Sequence, residues 1–372
     1  MHGARQPPPA DTWHALPPAN ASAVVSESCA SSSAEPHVAL MLSGPLRSLL
    51  VPSVHMSIRS KLVGAFGGPH VLIARIYDAH SLSSRELARL KCVLALLTSN
   101  GGGAWSAPTV GDAGVPSASR VSRCRAAPHT LFERYPYMAY SLARQLATLR
   151  ACYEQLLRLE DGRRRRFDWI LRTRTDAAYV LPAPAWCKVP ASTLLLSRSF
   201  SKSGGDASLR RDEYMWSDHA AIVPRKHADA YFLGVGRGLD QCIELGERLP
   251  ENYTGPESFI YHSLGGLGVR TRCEPTLAPL IVSVEGRMGK WCHRYRSHAT
   301  PELAGSASDK NCEERFLGRR ADAAAGTGAV AKCMRDQRMS TARTPARLAT
   351  SNRILQLSSR AAPLPRARAS DQ

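Results

Sequence analysis

The apolar positions of the chain alternate between two rhythms. Val38-Ala39-Leu40-Met41-Leu42 is an unbroken apolar run of strand length, closed by Ser43-Gly44-Pro45, and an amphipathic helical stretch follows from Ser53 to Phe66. After the break at Gly67-Gly68-Pro69 comes a second strand, Val71 to Tyr77. Ser83 and Glu86 then have the spacing of a capping box, which starts a helix running to about Leu97. This βαβα alternation predicts a parallel sheet. From Tyr137 to Glu160, Leu142, Leu146, Leu149, Tyr153, Leu156 and Leu157 recur every three or four residues, the signature of a long helix with one buried face. The basic run Arg163 to Arg166 ends it, and a third strand begins at Phe167.

Weaker patterns place further strands at residues 193–196, 220–223 and 280–284, and helices near 225–233, 237–248 and 256–264. The expected fold is α/β: a mostly parallel central sheet flanked by helices, in a single domain spanning about residues 36–300. Residues 1–35, with Pro7-Pro8-Pro9 and a Ser-rich stretch, lack apolar periodicity and are expected to be disordered. The Gly/Ser/Ala-rich segment 99–128 is expected to be a mobile insertion, and 301–372 a basic Ala/Arg-rich tail of low complexity.

At 372 residues, 44% hydrophobic and 22% charged, the chain has an ordinary globular balance. Its net charge of +18, from 49 Lys and Arg against 31 Asp and Glu, is not ordinary and favours anionic partners in general. No zinc-finger spacing, RNA-binding signature or helix-turn-helix accompanies that charge, so no specific nucleic-acid partner is expected. The ten cysteines show no Cys-x-x-Cys pair, which argues against a structural metal site, and their pairing is not readable from spacing. No transmembrane run of 18 apolar residues occurs, and residues 1–18 carry no apolar signal core. The sequons at Asn20 and Asn252 fit a Golgi or secretory lumen with an anchor absent from this chain; a cytoplasmic location is the alternative. There is no Walker loop, no Gly-x-Ser-x-Gly elbow and no His-Glu-x-x-His, so several large enzyme classes fall away.

The third strand carries the chemistry. Trp169-Ile170-Leu171 gives way to Arg172, Arg174 and Asp176 at the carboxyl end, where open α/β sheets bind ligands. Two guanidiniums beside a carboxylate suit a metal-bound diphosphate, the acid holding a divalent cation and the arginines forking onto phosphate oxygens. The alternative is an ordinary ion pair of Arg172 or Arg174 with Asp168 or Asp176 at the sheet end.

Phe167-Asp168-Trp169-Ile170-Leu171-Arg172-Thr173-Arg174-Thr175-Asp176 resembles the "YDWIIRxRxD" strand of uncharacterised plant and algal glycosyltransferases with the GT-A nucleotide-diphospho-sugar transferase fold. Ser43-Gly44-Pro45-Leu46-Arg47 is similar to that family's "SGxxR" turn. Ser217-Asp218-His219-Ala220-Ala221-Ile222-Val223-Pro224-Arg225 is similar to its "(N/S)DxxAIxPR" segment, and Pro256-Glu257-Ser258 with Leu264 to its "PExxLxxxL" helix. The resemblance spans residues 36–285. It implies a nucleotide-sugar donor, nucleotide contacts from Gly44 and Arg47, and diphosphate contacts from Arg172 and Arg174. It further implies a divalent cation, Mn or Mg, at Asp176, and a glycan or protein acceptor whose hydroxyl is deprotonated by Asp218 first or Glu257 second. Asp176-Ala177-Ala178 departs from the Asp-x-Asp common in that fold and puts strict metal dependence in doubt. His219 and His262 read as packed histidines, and the stretch Trp291 to His298 is a candidate source of a metal histidine. Two other readings stay open: a catalytically silent domain that binds nucleotide or glycan, and a basic scaffold that binds polyanions through its tail.

Overall fold

The computed structural model describes residues 13–16, 29, 35–46, 48–77, 79, 82–98, 102–108, 116–198, 216–253, 255–277, 279–281, 328 and 330–335. The chain divides into two compact units, Met1–Val330 and Ala331–Gln372. In the second unit only the end of one short helix is described, so most of the expected tail lies outside the described residues.

The first unit is built on an eight-stranded sheet. Strands β1 (Trp13–Leu16), β2 (Val38–Pro45), β3 (His70–Tyr77), β4 (Gly103–Ser106), β5 (Trp169–Arg174), β7 (Leu194–Arg198), β8 (Trp216–Pro224) and β9 (Thr271–Glu274) lie in the order β1-β4-β3-β2-β5-β8-β7-β9. A second sheet pairs β6 (Ala177–Tyr179) with β10 (Pro279–Ile281). In the larger sheet β2 pairs in parallel with both β3 and β5, as do β3 with β4 and β7 with β9, while β1, β8 and their neighbours run antiparallel. The fold class is the expected one: α/β, with a mostly parallel central sheet flanked by helices.

The apolar runs become the central strands because both of their faces are covered, and Val38 to Leu42 and Leu72 to Ala74 are almost wholly buried. The helix α1 (Pro52–Ser57) continues as a π-helical segment, Ile58–Gly64, and leads into β3. Before α2 (Ser84–Leu96) the expected capping box forms: the Glu86 amide donates to Ser83 Oγ at 3.3 Å, and the Ser83 amide to Glu86 Oε2 at 3.0 Å. The short helices α3 (Ala118–Val121) and α4 (Leu131–Arg134) precede the long α5 (Tyr137–Arg163). The buried face of α5, including Leu142, Leu146, Leu149, Tyr153 and Leu156, packs across β2 and β3. Helices α6 (Val235–Leu245) and α7 (Pro256–Gly266) complete the described layers.

Three expectations need correction. Within the segment read as disordered, Trp13–Leu16 forms β1 and pairs antiparallel with β4, and Cys29 is disulfide-bonded to Cys187; the rest of residues 1–34 lies outside the described residues. Within the expected insertion, Gly103–Ser106 is an internal strand between β3 and β1, residues 118–121 are helical, and Cys124 is disulfide-bonded to Cys242 on α6. Residues 99–101 and 109–115 are not described. A strand this short and small carries no apolar alternation. Its glycine answers to close packing, since a Cβ at Gly103 would lie 2.1 Å from the Leu72 carbonyl oxygen. The third strand begins at Trp169 rather than Phe167, because the Asp168 backbone turns to bond the His37 carbonyl at 2.7 Å.

Candidate functional site

The chain leaves β2 through α1 to β3 and then β4 on one side, and returns through α5 to place β5 on the other side of β2. The sheet order therefore reverses between β2 and β5, and the crevice beyond their carboxyl ends is a topological switch point. A cavity of about 230 Å³ opens there. Ser43, Gly44 and Pro45 of β2, Tyr77 of β3, Arg172 and Arg174 of β5, and Ser141, Arg144, Gln145 and Thr148 of α5 line it. Its charged lining is three arginines and no carboxylate.

Arg172 is the least satisfied member. It is 1% exposed, and its Nε and Nη1 are buried without a hydrogen-bond partner. A buried donor without a partner costs about 1–3 kcal/mol, so a guanidinium held this way at a cavity wall is set up to meet an anion. The Arg144 guanidinium lies over the Tyr77 ring, 5.4 Å from its centroid. Gln145 Nε2 is also buried without a full hydrogen bond, although it lies near enough to Asp218 to favour that carboxylate.

Arg174 turns the other way, onto Asp176. Its Nε donates to Oδ1 and its Nη2 to Oδ2, both at 2.9 Å, and the Asp176 side chain is almost fully enclosed. Asp218 on β8 and Glu257 in the first turn of α7 stand near the same guanidinium. Burial works against the charge of Arg174, and Asp176, Asp218 and Glu257 more than restore it, so its pKa lies above the ordinary value. The two outer carboxyls are driven apart. Burial opposes the charged form of Asp218, but His219, Arg174 and Arg172 together hold its pKa down to about 2. Burial, reinforced by the neighbouring Asp218, pushes Glu257 up to about 7. His219 Nε2 lies 3.5 Å from Asp218 Oδ1, and burial lowers its pKa to about 4, so the ring is neutral near pH 7.

Of the candidate residues, Gly44, Arg172 and Arg174 line the cavity, and Arg174 also joins Asp176, Asp218 and Glu257 in one electrostatic cluster. Arg47 lies outside the described residues, as do Trp291 to His298. Gly44 has a structural reason of its own. Its φ is +143°, and a Cβ there would sit 2.7 Å from Thr175 Oγ1, whose hydroxyl donates to the Pro45 carbonyl. Asp168, the other acid considered for the arginines, accepts the His37 amide at 2.7 Å instead.

The residues do not fit a divalent cation as they stand. Both oxygens of Asp176 are taken by Arg174. The next two positions are the buried Ala177 and Ala178 of β6, and among the described residues no group of three or more His, Cys, Asp or Glu is placed to hold a metal. Tyr77, Ser141, Arg144, Gln145 and Thr148 line the cavity without belonging to any of the sequence motifs. Ser141, Arg144, Gln145 and Thr148 do recur at helical spacing, a polar stripe overshadowed by the leucine face of the same helix.

No known family profile matches the chain, and no curated protein does. Among solved structures, it is similar to the apo form of mouse xyloside xylosyltransferase 1, at 10% identity and a TM-score of 0.34, over 65% of this chain and 85% of that one.

Proposed function

We propose that this chain is a glycosyltransferase that moves a sugar from a nucleoside-diphosphate sugar to a hydroxyl of a glycan or protein acceptor. The observation that carries the reading is Arg172: a buried guanidinium with unpartnered donors, on the wall of a basic cavity at the switch point of an α/β sheet. In this reading Arg172 and Arg174 neutralise the leaving diphosphate, and the Gly44 turn lets the donor approach the backbone. Glu257 is preferred to Asp218 as the base. A carboxyl with its pKa at about 7 is matched to proton removal near neutral pH, whereas one held at about 2 is too weak a base. As Glu257 takes the hydroxyl proton, the acceptor oxygen bonds to the anomeric carbon and the glycosyl–phosphate bond breaks, its electron pair leaving on the diphosphate. Asp218 acts on the base by raising its affinity for the acceptor's proton, and it also balances the charge of Arg174.

The Cys29–Cys187 and Cys124–Cys242 disulfides support the secretory-lumen alternative, since such bonds persist in oxidising compartments. Among the described residues no helix is long and apolar enough to cross a membrane.

The test is a thermal-shift titration of the full chain and of Arg172→Met with uridine, guanosine, adenosine and cytidine diphosphates and their sugars, followed by donor hydrolysis assays. The expected result is stabilisation by one base, lost in the variant. Stabilisation by none overturns the reading. The Arg174–Asp176 pair also supports a second reading, a silent domain that binds nucleotide without turnover. Binding with no transfer or hydrolysis of the matching donor selects it.

A further inference from the structure

In sugar transfer from a diphosphate, some cation must neutralise the charge on the departing oxygen, commonly a metal or a set of basic side chains. Three features of this site bear on which is used here. The nearest carboxylate to the cavity on β5 and its following turn is Asp176, and it is 0% exposed with each oxygen bonded at 2.9 Å by a different nitrogen of Arg174. A divalent ion would have to displace that guanidinium to reach it. The residues after it, Ala177 and Ala178, are fully buried in β6, so neither a second carboxylate nor a shell of waters has a place there. The cavity itself presents Arg144, Arg172 and Arg174 and no acid, a lining that repels a free divalent cation and attracts a diphosphate.

Resting on the donor-site reading above, we infer that the diphosphate of the donor is held and neutralised by arginines alone, with Arg174, aligned by Asp176, standing where a divalent cation would otherwise sit. Asp176 is then a positioning residue. Arg172 supplies the donors that no protein group satisfies, and Arg144 closes the cavity from the α5 side.

The experiment is calorimetric titration of the full wild-type chain with uridine, guanosine, adenosine and cytidine diphosphates, once in EDTA and once with manganese, together with the electron paramagnetic resonance signal of free manganese as protein is added. The expected result is a diphosphate whose Kd differs by less than about threefold between the two conditions, and a manganese signal that protein does not reduce stoichiometrically. Arg172→Met is expected to weaken binding by about tenfold or more under both conditions, the loss of charge-assisted hydrogen bonds. Binding that needs manganese, or tightens by more than about tenfold with it, overturns the inference while leaving the donor site standing. Stoichiometric manganese uptake by the unliganded chain overturns it as well. If no diphosphate binds under either condition, the inference and the donor-site reading fall together.

Discussion

Strand β5 has an arginine–carboxylate fork near each end, and the two are geometrically almost the same. At the amino end Arg225 Nε and Nη2 bind Glu160 Oε1 and Oε2 at 2.8 Å each; at the carboxyl end Arg174 binds Asp176 at 2.9 Å each. Their surroundings differ. Glu160 also accepts the Phe167 amide at 2.9 Å, Arg225 lies over the Tyr153 ring, and the Tyr153 hydroxyl donates to Asp229 at 2.6 Å, so this network is closed on itself. Around Arg174 the polar groups do not balance. Arg172 keeps unpartnered donors, Asp218 is held strongly acidic, and Glu257 is held half-protonated near neutral pH. A satisfied network fixes a scaffold; an unsatisfied one is stabilised only when a ligand completes it.

The unbalanced end differs most from the closed one at Glu257. Glu257→Gln is expected to lower kcat by about a hundredfold or more while leaving donor affinity nearly unchanged, and to abolish an acidic limb of the pH–rate profile near pH 7. The same carboxyl links to stability. Its folded pKa of about 7 lies above the ordinary 4.5, so between those values the folded chain keeps a proton that the unfolded chain has lost. Stability therefore falls as pH rises through that window, and the Gln variant, followed by denaturant midpoints from pH 4 to 8, should lose that contribution to the slope.

At the other fork, Glu160→Gln leaves Arg225 buried beside an uncharged partner. The expected cost is about 3–5 kcal/mol, or roughly 10 °C in Tm, with no change in nucleotide affinity. A loss of binding there would erase the distinction between scaffold and site. Arg172→Met should show the reverse: binding lost, and Tm unchanged or slightly raised because buried donors without partners are removed. The smallest effect is expected at Gly44→Ala, about 1–3 kcal/mol of stability by chemical denaturation, from the positive φ and the contact with Thr175.

Much of the fold was legible because its strongest signals are local. The unbroken apolar runs of β2 and β3, the Ser83–Glu86 capping box and the leucine face of α5 each encode an element without help from the rest of the chain. Strands β1 and β4 were not legible, since Trp13-His14-Ala15-Leu16 and Gly103-Ala104-Trp105-Ser106 are extended only because each pairs with the other and β4 with β3.

The site divides in the same way. From its residues alone the chain specified that Arg172, Arg174 and Asp176 arrive together at the end of a strand. The resemblance of its motifs added Asp218 and Glu257 to the candidates. Which arginine pairs with the acid, which is left with unpartnered donors, which carboxyl is raised and which lowered, and which cysteines are joined depended on strands and helices far apart in sequence. Side-chain type and spacing fix what a residue can do. Burial and neighbours fix its charge and its free valences, and those exist only once the chain has packed.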